Sequence, residues 1–242
     1  MDWRDEGLLI AARRHGESSA LVEIFTAEHG RHAGMVRGGA SRRMTPILQP
    51  GALLAVEWSA RLEAHLGNFR VDPVSTPLAA VLGDRAALAA LASVAALISV
   101  ALPERAAHPA LYAQTRDLVA GLGQRPGWRA EYARWEITLL AELGFGLDLG
   151  RCAVTGSAED LTFVSPRTGR AVSRGAAGPW ANRLLPLPAF LCDPEVVAQD
   201  ADLAQALALS GHFLEVWLAP TLAREKLPDA RPRAAAALLR SR

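Results

Sequence analysis

Up to residue 76 the chain is a series of short apolar or alternating runs, at 7–12, 20–25, 31–36, 53–58 and 61–71. A two-residue period sends successive side chains to opposite faces, so these runs predict five short β-strands. The segments between them are turn-forming: His15-Gly16-Glu17, Glu28-His29-Gly30 and the stretch 38–51. Five strands so close together predict a small closed barrel, because closure removes the exposed edges that an open sheet would leave. Phe25 and Trp58 fall within strands and are assigned to its core. Asp72-Pro73 and Thr76-Pro77 are expected to end the strand pattern.

From Leu78 onward the period becomes helical. Leu82, Leu88, Leu91, Val94, Leu97 and Ile98 recur mostly at helical spacings, and predict a helix over the uncharged run 86–102 that Pro103 stops. That run is short for a membrane span, Ala-rich, and contains Ser93 and Ser99, so it reads as a buried helix. Further helices are predicted over 109–122, closed by Gly123 and Pro126, and over 129–143, closed by Gly144. In the latter, Tyr132, Trp135, Leu139, Leu140 and Leu143 form an apolar stripe, with Glu131, Arg134 and Glu142 outward. Residues 150–188 are rich in Gly, Ser, Thr and Pro and read as an irregular inserted lobe, before helices near 200–218 and 231–239. The fold class is α+β, divided into a barrel (1–76), a helical domain (77–149), the lobe (150–188) and C-terminal helices packing on the helical domain (189–242).

A hydrophobic content of 50% with 21% charged residues is that of a folded chain, and a net charge of +1 excludes a wholly polybasic binder. With only Cys152 and Cys192 there is no disulfide scaffold, which points to a reducing cytoplasm; the acidic N-terminus lacks the basic region of a signal peptide. Phosphate-loop, nucleophile-elbow and paired-histidine metal motifs are missing from the sequence. Gly121-Leu122-Gly123 and Gly144-Phe145-Gly146 follow helices, not strands, and read as helix caps and not as a dinucleotide loop. His29 and His32, in a strand turn, read as a solvated pair. No catalytic residues, metal or cofactor are therefore expected.

Charge placement says more than the total. Between Glu28 and Glu57 there is no acid, while Arg31, Arg37, Arg42 and Arg43 are present. A second acid-free window, between Asp160 and Asp193, carries Arg167, Arg170, Arg174 and Arg183. Clustered guanidiniums release condensed counterions from a polyanion, which makes both windows candidate phosphate-backbone contacts. Gly38-Gly39-Ala40-Ser41 is expected to leave bare, flexible backbone beside Arg37, Arg42 and Arg43 on a barrel loop, and such loops commonly track single strands. With few aromatics free for stacking, binding should be sequence-tolerant.

The run GESSALVEIFTAEHGRHAGMVRGGASRR, followed by LQPG, resembles the N-terminal barrel of the RecO family of recombination mediators. RWEITLLAELGFGLDLGRC and LPDARPRAAAALL are similar to that family's helix leading into a cysteine and to its closing helix. The resemblance implies an oligonucleotide-binding (OB) barrel, a helical domain and a small zinc-finger-like lobe. It implies binding of single- and double-stranded DNA, annealing of complementary strands, and help in loading the RecA recombinase onto strands coated by single-strand-binding protein. RecR is an implied partner, and the cytoplasm, in association with the nucleoid, the implied location. By position, Arg31, Arg37, Arg42 and Arg43 would face DNA, with Arg167, Arg170 and Arg174 as additional contacts. Many members hold zinc through four cysteines in the lobe, whereas here Cys152 alone stands at a ligand position, followed by Ala153, Val154, Thr155 and Gly156; the lobe is expected to be metal-free.

The implied partner, single-strand-binding protein, ends in an acidic tail with apolar residues, which needs an apolar pocket rimmed by cations. The stripe Phe213, Val216, Trp217 and Leu218 with Arg224, Lys226, Arg231 and Arg233 supplies those ingredients. Two other function classes remain open on sequence: a sequence-tolerant RNA-binding or adaptor module without annealing activity, and an enzyme assembled from scattered residues. Annealing of coated strands separates the first reading from both.

Overall fold

The computed structural model describes residues 1–62, 64–76, 81–222 and 226–240. Two compact units emerge: residues 1–124 with 228–237, and residues 125–227 with 238–242.

The first unit is built on strands β1 (Asp2–His15), β2 (Ser19–Thr26), β3 (Gly30–Val36), β4 (Leu53–Ser59) and β5 (Asn68–Ser75), closed into a barrel in the order β1-β2-β3-β5-β4. β1 makes closure work: its first half pairs with β4, from Asp2↔Ser59 to Leu8↔Leu53, and its second half with β2, from Gly7↔Thr26 to His15↔Ser19. A bulge between Leu9 and Ala11 bends the strand where it changes partners. β3 and β5 close the ring in parallel through Met35↔Asn68 and Val36↔Phe69. Val22, Ile24, Leu54, Val56, Trp58 and Phe69 fill the interior, as the alternation requires, and Phe25 is also buried.

Asp72-Pro73 does not end the last strand. β5 runs through Pro73, paired to Leu54, and ends at Ser75. β3 pairs with β5 only near Asn68 and Phe69, so further along β5 has one ladder partner and a proline that donates nothing is tolerated on the other side. The expectation for Thr76-Pro77 reaches residues outside those described.

Two helices follow in the same unit. α1 (Arg85–Ala101) starts at Asp84, whose carboxylate accepts from the amides of Ala86 (2.8 Å) and Ala87 (3.3 Å), and stops at Leu102 ahead of Pro103. Leu91, Val94, Leu97 and Ile98 are buried, and among the described residues no helix is long and apolar enough to cross a membrane. α2 (Pro109–Gly121) packs its Tyr112 ring against Phe25 at 5.5 Å and donates its phenol to the Glu6 carbonyl at 3.0 Å.

The second unit begins with α3 (Trp128–Glu142), which buries Tyr132, Trp135, Leu139 and Leu140. Its end is capped as anticipated, with Gly144 at φ +85° and the Phe145 amide donating to Leu140. Glu136 is also buried, accepting from the hydroxyls of Tyr132 (2.9 Å) and Ser210 (2.5 Å). The lobe is more regular than its composition implies. β6 (Leu161–Val164), β7 (Ala171–Ser173) and β8 (Leu185–Pro186) form a three-stranded sheet, followed along β7 by the short α4 (Arg174–Ala177) and a tight helical turn, Gly178–Arg183. Strands of two to four residues carry too little alternation to register in sequence. α5 (Asp200–Phe213) continues as a wide π-turn, Leu214–Leu218; the last helix, α6 (Ala230–Leu238), belongs through residue 237 to the first unit.

Candidate nucleic-acid interface

The barrel loop after β3 is a tight, hydrogen-bonded turn and not a bare flexible strap. Gly39 donates to Val36, Ser41 to Gly38, and Ala40 reaches across to the Ser18 carbonyl at 3.0 Å. Gly39 is required by close approach: a Cβ there would lie 2.7 Å from the Ala20 Cβ and 2.9 Å from the Val36 carbonyl oxygen. The turn pins the loop to the β1–β2 hairpin and presents Arg37, Arg42 and Arg43, all exposed. Fixed placement of cations lowers the ordering cost of meeting a phosphate backbone.

Strand pairing adds two cations that linear reading missed. Arg14 is opposite Ala20, and Ala20 is opposite Val36, so the exposed Arg13 and Arg14 share the barrel end with Arg37. Three acids, Glu17, Glu23 and Glu28, intervene in sequence and hid them. The signal that could have found them is the hairpin: two strands joined by His15-Gly16-Glu17 return the chain to the same edge. From Arg37 an open groove of about 830 Å³ runs past Trp3, Arg4, Trp58, Phe69 and Arg70. Its charge is mixed, since Glu57 pairs with Arg4 at 2.6 Å and lies 3.9 Å from Arg70.

Arg31 departs from the expectation that it faces DNA. Its side chain is only 13% exposed; Nη1 donates to Glu23 (3.1 Å) and Glu104 (3.5 Å), and Nε to the Leu102 carbonyl (3.0 Å). The segment after α1 runs beside the start of β3, with the Arg105 amide donating to Arg31 O at 2.9 Å. Gly30 makes that approach possible: a Cβ there would fall 1.9 Å from the Ala106 carbonyl oxygen. Arg31 is thus a tie within the unit, and the exposed set at the loop is Arg37, Arg42 and Arg43.

His29 and His32 are not a solvated pair. Burial alternates along β3 and puts His32 inside with Gly34 and Val36. His32 packs edge-on to Trp58 at 4.7 Å, and His29 stacks on Trp3 at 4.0 Å. Among the described residues neither ring nitrogen of His32 has a hydrogen-bond partner. Burial first, then the nearby Arg105 and His29, lower its pKa from 6.5 to about 4, so it is neutral near pH 7.

In the second unit, Arg167, Arg170 and Arg174 are exposed on the lobe. Arg170 lies 3.4 Å from Asp148 and Arg174 3.4 Å from Asp160. Cys152 is buried in the small lobe core with Val172 and Ala177. The Ser173 hydroxyl (3.4 Å) and amide (3.3 Å) donate to its sulfur. The Ser173 hydroxyl first, then Thr155 and the Ser173 amide, bring the thiol pKa to about 6, against an opposing push from burial. Burial alone raises that of Cys192, whose sulfur faces the Leu149 carbonyl at 3.7 Å. A structural zinc does not fit this lobe, because among the described residues no three His, Cys, Asp or Glu side chains come together to hold a metal.

The residues expected to receive an acidic tail fare differently from one another. In the second unit Phe213 and Leu218 are core, Trp217 is half-buried against Phe213 at 4.5 Å, and Val216 is exposed. In the first unit Arg231 is buried and Arg233 is exposed, with Nε donating to the Asp229 carbonyl at 3.0 Å. Lys226 is exposed, and Arg224 lies outside the described residues.

A closed five-stranded barrel with helices following it, and a tight cationic turn at the barrel end, defines an α+β protein of the OB-barrel class. Residues 1–76 match the family described as "Recombination protein O N terminal", and residues 82–225 match "Recombination protein O C terminal". Proteins called "DNA repair protein RecO" are similar throughout. The one from Cereibacter sphaeroides is 58% identical over 233 residues, covering 96% of each chain. One from a Ruegeria species is 53% identical over 240 residues, 99% of each, and that of Dinoroseobacter shibae 52% over 242 residues, 100% of each. The chain belongs to the RecO family.

Proposed function

We propose that the protein is a non-catalytic recombination mediator of DNA repair. It binds single- and double-stranded DNA, anneals complementary strands, and helps load RecA onto strands coated by single-strand-binding protein, with RecR as partner in the bacterial cytoplasm. The observation that carries this reading is the exposed turn with Arg37, Arg42 and Arg43 on the OB-class barrel, with Arg13 and Arg14 beside it. Guanidiniums on a hydrogen-bonded turn can follow phosphates of any sequence, and sequence tolerance is what annealing arbitrary complements requires. Arg167, Arg170 and Arg174 are secondary contacts in this proposal, and the acidic tail of single-strand-binding protein docks near Arg233.

The deciding experiment is annealing of complementary strands pre-coated with single-strand-binding protein. Acceleration by the protein supports the mediator. Binding without acceleration, with RNA preferred over DNA, would instead mark a sequence-tolerant RNA-binding adaptor.

A further inference from the structure

The lobe carries an aromatic side chain that its own packing does not use. Trp180 sits in the turn Gly178–Arg183 and is 58% exposed, whereas Trp58, Trp128 and Trp135 are buried and Trp3 and Trp217 are partly so. On either side of Trp180, Ala177 is in the lobe core, and Ala181 and Leu184 pack against that core. Trp180 is not among the residues packed on the lobe core, and its ring is available at the surface. Arg183 lies over the ring, its guanidinium carbon 4.9 Å from the ring centroid. Neither Arg183 nor Arg167 has an ion pair among the described residues, and the sequence holds no acid between Asp160 and Asp193.

We infer that Trp180 and Arg183 form a stacking site for an unpaired nucleobase of single-stranded DNA, with Arg183 meeting the adjoining phosphate. Charge complementarity selects the occupant. An exposed indole flanked by an uncompensated guanidinium in an acid-free segment matches a polyanion whose units each carry a flat π-face. Within a duplex the interior bases stay stacked on one another and offer this ring no face, leaving only the two end pairs, so the site discriminates by strandedness and not by sequence. The inference rests on the nucleic-acid reading above and adds to it a contact specific to unpaired strands, in a unit other than the barrel.

The test compares full-length wild type, Trp180→Ala, Trp180→Phe and the Arg42→Ala, Arg43→Ala double variant, titrated against a thymidine oligonucleotide and a blunt duplex across a salt series. Trp180→Ala should weaken oligonucleotide binding about fivefold or more, with the salt slope unchanged and duplex affinity altered by about twofold or less. Trp180→Phe should recover most of the loss. Equal weakening on both DNAs, or none on either, while the double variant weakens both, overturns the stacking site and leaves the barrel reading standing. Failure of wild type to bind either DNA overturns the barrel reading itself. An acidic peptide with an apolar end serves as a further titrant; if Trp180→Ala loses that peptide but keeps the oligonucleotide, the ring docks a protein and the inference is wrong. Because Trp180 is exposed, unaltered thermal melting is expected for both of its variants.

Discussion

Arg31 Nη1 donates to Glu23 Oε2 at 3.1 Å, between neighbouring strands β3 and β2 of the barrel. Glu23 also accepts from the Ser99 hydroxyl of α1 at 2.9 Å, so one carboxylate joins two strands and a helix. The arginine in the most basic stretch of the barrel is thereby a structural residue. Arg31→Ala leaves the half-buried Glu23 and the Leu102 carbonyl short of a donor, and should lower stability by about 1–3 kcal/mol. Its DNA affinity, measured under conditions where it stays folded, should keep the wild-type salt slope. A shallower slope with an unmoved urea midpoint would return Arg31 to the interface.

Replacing Arg42 and Arg43 together by Ala removes two exposed cations from the turn. Single-strand and duplex binding should weaken alike, and the slope of log affinity against log salt should fall by about 1 to 2 units, since phosphate contacts and not base edges are lost. Fluorescence anisotropy across a salt series reads both quantities. Unchanged affinity and slope would remove this turn from the interface.

The lobe is held by packing and hydrogen bonds about Cys152, so the purified protein should carry no stoichiometric zinc, and a chelator should leave its melting temperature in place. Elemental analysis finding zinc at one per chain would contradict this account.

His32 predicts an acid-side loss of stability. Its folded pKa, about 4, lies below the unfolded value of 6.5, so between these pH values the unfolded chain binds the extra proton. Stability is full above pH 6.5 and declines as pH falls toward about 4, by at most about 1.4 kcal/mol per pH unit from this group. Desolvation is the main cause, with Arg105 and His29 adding repulsion to the imidazolium. Urea unfolding of wild type and His32→Gln at about pH 7 and about pH 5 isolates the contribution. Parallel losses in the two proteins would assign the acid sensitivity elsewhere.

What the sequence determined by itself is what neighbouring residues decide among themselves. Alternation over 20–25, 31–36 and 53–58 marks strands because the pleat repeats every two residues, and Pro103 and Gly144 bound helices through local backbone chemistry. The cationic turn was legible for the same reason, since Arg37, Arg42 and Arg43 lie within one short loop. Only the tertiary structure decided which charges are available. Arg31 meets Glu104 across 73 positions of sequence, and Arg14 comes level with Val36 through a ladder two strands wide. His32 becomes an interior group because Trp58 and Phe69 arrive from β4 and β5, and Pro73 stays in a strand because β3 pairs with β5 too briefly to need its amide. Exposed Trp180 on the lobe belongs with these: the lobe core is packed from Cys152, Val172 and Ala177 with their neighbours, and the indole stays outside it. Periodicity is a property of adjacent residues, whereas burial and ion pairing depend on which distant segments close the space around a side chain.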